Sequence, residues 1–334
     1  MAVLPECVKR PPLTNDGRSL SDQLSSLGWL QFNRGKVRDT YWRSDDLGCL
    51  LVVATDRLSI FDFVLPTLVP QKGVILTALT HFWLTRVLTD VEHHLTDLLV
   101  DSALPRERCL LVRKVAMEPF EMIFRHHIGG SVWKEYQKQG TAGGHILPDG
   151  LTRWQKLNSP IFTPSTKEES GHDVNITAAS YLEARGEEGR QNVEKLSGAY
   201  SRAYAYAERR GILILDTKFE IATPFTLADE VLTPDSSRFT VATDLVAATA
   251  DGRDPIFYDK ERVREWGRTV QTPFGTVGIN NLDPENPDHL KFVHSIEVPS
   301  EVVAETAERY QQIFEMLVGM PLSEYQRTGM GIEA

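Results

Sequence analysis

The stretch Ile-Leu-Ile-Leu-Asp-Thr-Lys-Phe-Glu at residues 212–220 combines an apolar run with a row of charges. A continuous apolar run bounded by polar residues is typical of a buried strand. Side chains alternate along a strand, so Asp216, Lys218 and Glu220 are expected on one face. Charges at the end of a buried strand are costly unless they are paired or bound to a ligand. The stretch therefore predicts a core strand that ends in a functional site; a structural row of ion pairs is the alternative.

Two further carboxylates, Asp229 and Glu230, follow this strand along the chain. Mg²⁺ prefers one or two protein carboxylates together with phosphate and water oxygens. Glu220 and Asp229 are therefore candidate magnesium ligands.

Strand and helix patterns extend from residues 212–220 in both directions. Apolar runs predict strands at 50–54, 110–115 and 122–124, with a turn and strand over 34–42. Helical spacing of apolar residues predicts helices that start at Gly73 and that cover 131–139, 189–210 and 300–318. Strands dominate the first part of the chain and helices are mixed in later, which is typical of the α+β class.

The remaining segments give weaker patterns. Ser131 is expected to be the N-cap of helix 131–139, with Gly140 after its end. Residues 140–171 are rich in Gly, Pro, Ser and Thr and are interpreted as mostly loop, and 241–297 is expected to contain loops. A domain boundary is expected near residues 116–119.

The bulk properties narrow the class of protein. The chain has 334 residues with a net charge of −10, and 41% of them are hydrophobic. Its apolar runs are far shorter than the roughly 20 residues of a membrane span, and its N-terminus lacks the apolar core of a secretory signal. Three cysteines are too few and too scattered for a disulfide framework or a zinc site, so a cytoplasmic location is expected. An acidic chain is a poor nucleic-acid binder, although locally concentrated cations could still bind a small anion.

Three short basic motifs in the N-terminal half could form such local concentrations. Residues 34–39, Arg-Gly-Lys-Val-Arg-Asp, place two cations beside a glycine turn, which suits a polyphosphate. Residues 55–57, Thr-Asp-Arg, follow a buried strand, and 71–73, Gln-Lys-Gly, place a cation at a helix start, where anions bind well. Each motif alone is also compatible with an ordinary turn with solvated charges.

A fourth basic motif covers residues 125–131, Arg-His-His-Ile-Gly-Gly-Ser. Two glycines before a helix start form a backbone-lined anion pocket, to which Arg125 could add a bidentate contact. A sugar phosphate would fit there. Adjacent residues of a strand point to opposite faces, so His126 and His127 are interpreted as non-metal positions.

Other polar motifs are turn-like on their own. Residues 164–167 and 233–238 are rich in proline and capping residues and indicate loops. His172 and Asp173 could form an acid/base pair, but a solvated loop is the simpler interpretation.

Taken together, the motifs resemble the SAICAR synthetase family and occur in that family's order from about residue 30 to residue 320. The matching stretches are 35–39 (GKVRD), 55–57 (TDR), 133–136 (WKEY), 160–167 (PIFTPSTK), 216–220 (DTKFE), 232–239 (LTPDSSRF) and 258–260 (YDK).

This resemblance implies a two-lobed α+β fold with ATP between the lobes. A β-rich lobe with the phosphate loop would cover 1–116, and an α+β lobe with the magnesium and substrate sites would cover 117–334. The implied reaction joins aspartate to the carboxylate of carboxyaminoimidazole ribotide in purine biosynthesis, with ATP as the source of an acyl phosphate and Mg²⁺ as cofactor. Small-molecule substrates are expected, with neither nucleic acid nor membrane as a partner; a homo-oligomer is left open.

The resemblance also implies roles for individual residues. Lys218 would be a cation on ATP or on the transferred phosphoryl group, and Lys36 the lysine of the phosphate loop. The implied groups are catalytic Asp216, Lys218 and Arg238; ATP-binding Gly35, Lys36, Val37 and Arg38; substrate-binding Arg57, Lys72, Arg125, Ser131 and Lys167; and magnesium-binding Glu220 and Asp229.

Several positions depart from the family pattern. These departures are Ile60, Gln71, His126, His127, Val174, Ala222 and Thr240, where the family usually has Ala, Gly, Gly, Tyr, Glu, Gly and Trp. They spare the phosphate and metal groups. Drift in a housekeeping enzyme is one interpretation; a paralogue with the same ATP chemistry and another carboxylate or amine is a second. A kinase-like phosphotransferase and a nucleotide-binding pseudoenzyme are alternatives of other classes, and intact Glu220 and Asp229 argue against the latter.

Overall fold

The computed structural model describes residues 3–5, 20–44, 48–98, 100–167 and 173–332. The chain divides into two compact units. Unit 1 contains Met1–His81, His94–Lys114 and Asp259–Ala334, and unit 2 contains Phe82–His93 and Val115–Tyr258. This grouping differs from the expected division into 1–116 and 117–334, because residues 259–334 belong with the N-terminal part of the chain.

The strands of the described residues are, in chain order, β1 (Trp29–Arg34), β2 (Arg38–Arg43), β3 (Cys49–Ala54), β4 (Arg57–Ile60), β5 (Phe63–Leu68), β6 (Cys109–Arg113), β7 (Ala116–Met117), β8 (Phe120–His127), β9 (Thr141–Ala142), β10 (His145–Ile146), β11 (Lys156–Phe162), β12 (Ser165–Thr166), β13 (Ile212–Thr223), β14 (Thr226–Ala228) and β15 (Ser237–Val241).

The helices of the same residues are α1 (Leu20–Ser26), α2 (Lys72–Phe82), α3 (Gly130–Gln139), α4 (Ala178–Glu208), α5 (Ala242–Asp251), α6 (Glu261–Thr269), α7 (Pro287–Val293), α8 (Ser300–Val318) and α9 (Leu322–Thr328). A π-helical turn covers Trp83–Val87, and 3₁₀ turns cover Arg106–Arg108 and Ile279–Asn281. In the part of the chain that the structure describes, no helix is long and apolar enough to cross a membrane.

Unit 1 is built on an antiparallel sheet in the order β1-β2-β3-β6, with β4 and β5 as a separate hairpin. One core cluster lies between the sheet and α1 and includes Leu24, Tyr41 and Val53. A second cluster joins the hairpin to the C-terminal helices through residues such as Phe63 and Val302. This second core explains why residues 259–334 belong to unit 1.

Unit 2 is built on a seven-stranded sheet with the path β11-β8-β13-β14. Strand β12 pairs with β8, and strands β7 and β15 pair with β13. The central strand β13 pairs antiparallel with β8 through residues 216–219 and with β15 through residues 212–217. Asp216 is the position at which both neighbours carry an arginine, Arg125 on β8 and Arg238 on β15. The register therefore brings together residues that are far apart in the sequence.

The α+β prediction is confirmed, and so are the strands at 50–54 and 212–220 and the final helix 300–318, which Gly319 ends at φ 80°. The N-cap prediction for Ser131 is wrong: α3 begins at Gly130, its N-cap is Gly129, and no side chain caps it.

One loop interpretation needs correction. Residues 140–171 contain β9 to β12, because β11 and β12 obtain their backbone partners from β8. Residues 241–297 contain loops as expected, and they also contain α5, α6 and α7. The helix expected at 189–210 begins earlier, at Ala178, where the Thr177 side chain caps it, and it is interrupted at Gly186.

Candidate active site

The centre of unit 2 is a buried bridge of two arginines and one aspartate, called here the arginine bridge: Arg125, Asp216 and Arg238. The Arg125 Nη1 donates to Asp216 Oδ2 at 2.7 Å. Arg238 donates through Nε to Oδ1 at 3.0 Å and through Nη2 to Oδ2 at 2.5 Å. Burial lowers the pKa of Arg125, Asp216 opposes that shift, and Arg238 adds to it. The bridge is a rigid, net positive element, because two guanidinium groups share one carboxylate.

The turn between β8 and α3 lies directly against this bridge. A Cβ added to Gly130 would lie 2.6 Å from Nη2 and 2.7 Å from Nη1 of Arg238. Gly130 also has φ 61°, a backbone conformation that glycine adopts without strain. Helix N-termini bind anions through their backbone N–H groups. Arg238 and the start of α3 therefore form one corner that suits an anion, called here the anion-binding corner, with Ser131 exposed in the first turn of the helix.

A second charged group, called here the lysine cluster, lies two residues along β13 and consists of Lys167, Lys218, Glu121 and Glu220. Lys218 donates to Glu121 and, at 3.2 Å, to Glu220. Lys167 donates to the other oxygen of Glu220. Glu121 also accepts a hydrogen bond from the Ser165 hydroxyl at 3.0 Å. The prediction that Asp216, Lys218 and Glu220 share a face agrees with these contacts.

The charge state of Lys218 is set by its neighbours. Burial alone would lower the pKa of its amine, but the carboxylates of Glu220, Glu121 and Asp229 outweigh burial and raise the pKa above its ordinary value. These carboxylates therefore favour the protonated form of Lys218. A protonated amine suits the neutralisation of phosphate charge.

The residues expected to hold Mg²⁺ lie beside this cation. Glu220 is paired with Ala228 across β13 and β14, and Asp229 follows Ala228 at φ 57°. Asp229 is close enough to contribute to the raised pKa of Lys218. Among the described residues, no group of three or more His, Cys, Asp or Glu side chains is arranged to hold a metal ion. Two hard carboxylates suit a magnesium ion that takes its other ligands from phosphate and water.

In unit 1, the motif at residues 55–57 holds the glycine turn at residues 35–38. The Thr55 hydroxyl donates to the Val37 carbonyl at 2.7 Å. Arg57 donates through Nε to the Lys36 carbonyl and through Nη2 to the Gly35 carbonyl, both at 3.1 Å. Its two terminal nitrogens also donate to the two oxygens of the Asp39 carboxylate, at 3.1 and 2.6 Å, in a bidentate ion pair. The two motifs are thus one structural element.

Arg57, predicted to bind substrate, makes all of these contacts within unit 1. The side chain is buried, and all three guanidinium nitrogens have partners within unit 1. Lys36, in contrast, is 44% exposed and forms an ion pair with Asp62 at 2.6 Å. Exposed ion pairs are worth about 1 kcal/mol or less. A phosphate could therefore displace Asp62 from Lys36 at little cost.

The start of α2 is also fixed within unit 1. The Gly73 N–H donates to Asp56 Oδ1 at 2.9 Å, and a Cβ on Gly73 would lie 2.5 Å from the Ala54 carbonyl oxygen. Lys72, predicted to bind substrate, is fully buried. Gln71 has φ 62°, which is the left-handed region that a glycine would occupy freely.

The two histidines make different kinds of contact in unit 2. His127 Nδ1 donates to the Trp154 carbonyl at 2.8 Å, and its Nε2 lies 3.2 Å from the Tyr204 hydroxyl. The His126 ring packs against Tyr200 and Tyr204, with ring centroids 4.8 and 4.0 Å away. Burial lowers the pKa of His126 to about 4, so the ring is neutral at pH 7. His172 lies outside the described residues.

The chain was compared with known proteins. It matches the SAICAR synthetase family over residues 31–278. It is 41% identical to the phosphoribosylaminoimidazole-succinocarboxamide synthase of Thermodesulfovibrio yellowstonii, over 85% of this chain and 94% of the relative. It is 38% identical to the enzyme of the same name from Saccharomyces cerevisiae, over 86% and 93% of the two chains.

A solved structure agrees with the sequence comparisons. The SAICAR-synthase from Saccharomyces cerevisiae complexed with SAICAR superimposes with a TM-score of 0.70 at 35% identity, covering 93% of this chain and 98% of that one. The chain belongs to the SAICAR synthetase family. The family resemblance drawn from the motifs is confirmed, and the chain is an enzyme of a ligase family.

Three residues of this SAICAR synthetase-family site were not predicted from sequence: Asp39, Glu121 and Trp154. Glu121 had a partial signal, because it lies four residues before Arg125 and alternation along one strand places these two side chains on the same face. Asp39 was noted only as part of a turn. Trp154 had no local signal, because it lies in a segment interpreted as loop.

Proposed function

We propose that this chain is an ATP- and Mg²⁺-dependent ligase that joins aspartate to the carboxylate of carboxyaminoimidazole ribotide. The main support is the arginine bridge, which lies against the start of α3. Its Asp216 lies two residues before Lys218 on β13. This arrangement offers a fixed positive corner for a sugar phosphate and a separate cation for phosphoryl transfer. The family relationship over nearly the whole chain supports the same substrates.

The proposed reaction requires cations beside the phosphate groups. A carboxylate is a poor acyl electrophile, so its oxygen attacks the γ-phosphorus of ATP and ADP leaves. The unprotonated amine of aspartate then attacks the acyl phosphate carbon, the C–O bond to phosphate breaks, and one amine proton passes to the departing phosphate as the amide forms. Positioning of the reactants and neutralisation of phosphate charge supply most of the acceleration.

The residues of this chain divide these tasks. Arg125 and Arg238 would hold the ribotide phosphate, with the N–H groups at the start of α3. Lys218 would neutralise the transferred phosphoryl group, since its raised pKa keeps it protonated. The turn at residues 35–38 would bind ATP phosphates, with Lys36 as its exposed cation.

Glu220 and Asp229 are the residues that would hold Mg²⁺. The ion would supply charge neutralisation on the ATP phosphates. Glu121 would then keep Lys218 in place, because it binds the ammonium independently of Glu220. The cytoplasmic location and the question of a homo-oligomer stay as predicted from the sequence.

The test is ADP release with Mg²⁺–ATP, carboxyaminoimidazole ribotide and each of the twenty amino acids in turn, with products identified by mass. Aspartate-dependent ADP release together with the succinocarboxamide product is the expected result. Lys218→Met should lower kcat by about 100-fold or more if the lysine neutralises charge in the transition state. Lys195→Met is the matched control, since Lys195 lies on α4 with its ammonium over the Phe225 ring.

Other outcomes would redirect the assignment. Turnover with another amino acid would retain the ligase chemistry and place the change in the amine subsite, where Val174 is 55% exposed and replaces the usual glutamate. ADP release with a stable phosphorylated acceptor and no amine requirement would indicate a phosphotransferase. No turnover and no ribotide binding would refute the proposed substrate.

A further inference from the structure

Trp154 has a backbone conformation that non-glycine residues seldom adopt. Its φ is 64°, and the conformation is fixed from both sides. The Trp154 N–H donates to the Ile128 carbonyl at 2.8 Å, and the Trp154 carbonyl accepts from His127 Nδ1 at 2.8 Å. Strained residues persist where surrounding structure determines them and are frequent at functional sites. The question is what this residue holds in place.

The indole ring is wedged under the turn that starts α3. It is 4% exposed, and its Nε1 donates to Asp254 Oδ1 at 2.7 Å. A Cβ added to Gly129 would lie 1.8 Å from Cζ3 of the ring. The ring therefore fills the space that any side chain at position 129 would need and supports the backbone of the N-cap directly.

The same ring supports Arg238. The guanidinium carbon lies 5.2 Å from the ring centroid of Trp154, within the range of a cation–π contact. Asp216 holds the Nε and Nη2 edge of this guanidinium, and Gly130 lies against its terminal nitrogens. Arg238 is thus held at one edge by the arginine bridge and at its face by Trp154.

One side chain therefore contacts both halves of the anion-binding corner, the helix start and the arginine. We propose that Trp154 is a positioning residue for the phosphate end of the ribotide, an inference that rests on the proposed function. The indole sets the spacing between Arg238 and the N–H groups of α3. His127 contributes by fixing the Trp154 carbonyl, at a position where the family usually has tyrosine.

This role gives a specific kinetic signature. Without the indole, Arg238 and the turn can move apart by a fraction of an ångström, and small misplacements of this kind cost large factors. Trp154→Leu should raise the KM for the ribotide about 10-fold or more. The KM values for ATP and aspartate should change less than about 2-fold. Trp154→Phe retains an aromatic face for Arg238 and should recover part of the loss.

A binding measurement separates this inference from the proposed function. Ribose 5-phosphate should bind the wild-type chain without ATP and should bind Trp154→Leu about 10-fold more weakly or worse, as measured by calorimetry. This readout needs no turnover, so it stands even if the ribotide and aspartate are not the substrates. Trp42→Phe is the control variant, because the Trp42 side chain on β2 of unit 1 is 38% exposed.

The inference is overturned by several results. Equal affinity of wild type and a folded Trp154→Leu for ribose 5-phosphate would refute it, as would no binding by the wild type. An equal rise of all three KM values would indicate a general structural defect. If Trp154→Leu does not fold, Trp154→Phe decides: an unchanged ribotide KM and an unchanged sugar-phosphate affinity in that variant would also refute the role.

Discussion

Replacement of Asp216 by asparagine tests the arginine bridge directly. The carboxylate accepts three charge-assisted hydrogen bonds from Arg125 and Arg238, at 2.7, 3.0 and 2.5 Å. The asparagine side chain is nearly the same size but has one acceptor oxygen and one amide that donates. One guanidinium would therefore face a donor, and two buried cations would lose their shared counter-charge.

The expected loss follows from burial. The side chains of Arg125 and Asp216 are only 7% and 8% exposed, and that of Arg238 is 18% exposed, so solvent cannot replace the lost charge. Removal of one partner from a buried ion pair costs about 3–5 kcal/mol. We therefore expect Asp216→Asn to lower the free energy of unfolding by about 3–5 kcal/mol at pH 7.

The assay is urea unfolding of wild type and variants, followed by tryptophan fluorescence. Asp90→Asn is the matched control, because Asp90 also pairs with an arginine, Arg202, at 3.2 Å, but the two side chains are 68% and 45% exposed. That substitution should cost less than about 1 kcal/mol. If Asp216→Asn costs no more than Asp90→Asn, the bridge does not stabilise unit 2 and the reasoning from burial is wrong.

Three further predictions concern other positions. Arg57→Lys keeps the charge but loses the guanidinium that binds the Gly35 and Lys36 carbonyls. In steady-state assays the KM for ATP should rise about 10-fold, while the KM for the ribotide stays constant. An unchanged KM for ATP would contradict this prediction. Gln71→Gly removes a left-handed non-glycine residue and should raise the free energy of unfolding by about 0.5–1 kcal/mol in urea melts, and a loss would contradict it. Burial lowers the pKa of His126 from 6.5 to about 4, so the unfolded chain takes up this proton before the folded chain does as pH falls. Protonation of this group should therefore lower the free energy of unfolding by roughly 2 kcal/mol between pH 7 and pH 5. His126→Phe should reduce the dependence of the free energy of unfolding on pH over that range.

The sequence was informative where local chemistry decides structure. The apolar run before Asp216 and the helical spacing before Gly319 predicted β13 and α8, because burial of a strand or of one helix face leaves a local pattern. Both patterns arise from residues that lie close together in the sequence.

Pairings between residues that are far apart in the sequence were not predicted. Arg125 and Arg238 were both candidates, but their common partner Asp216 lies 91 residues from one and 22 from the other, and only the strand register brings them together. The same limit explains β11, whose partners on β8 are distant in sequence. It also applies to Arg57, whose carbonyl partners lie 21 and 22 residues upstream, so these hydrogen bonds had no local signal.

The order of charges along β13 provides a physical reason for the proposed division of labour. The arginine bridge has two cations and one anion, so its net charge is positive. The lysine cluster has two cations and two anions, and Asp229 beside Lys218 makes that end negative. The two ends are two residues apart on one strand face, which is about 7 Å. One strand can therefore direct a phosphate to its positive end and a metal–phosphate group to its negative end, and reversal of the charge at one end should abolish the preference of that end while the other end keeps its own.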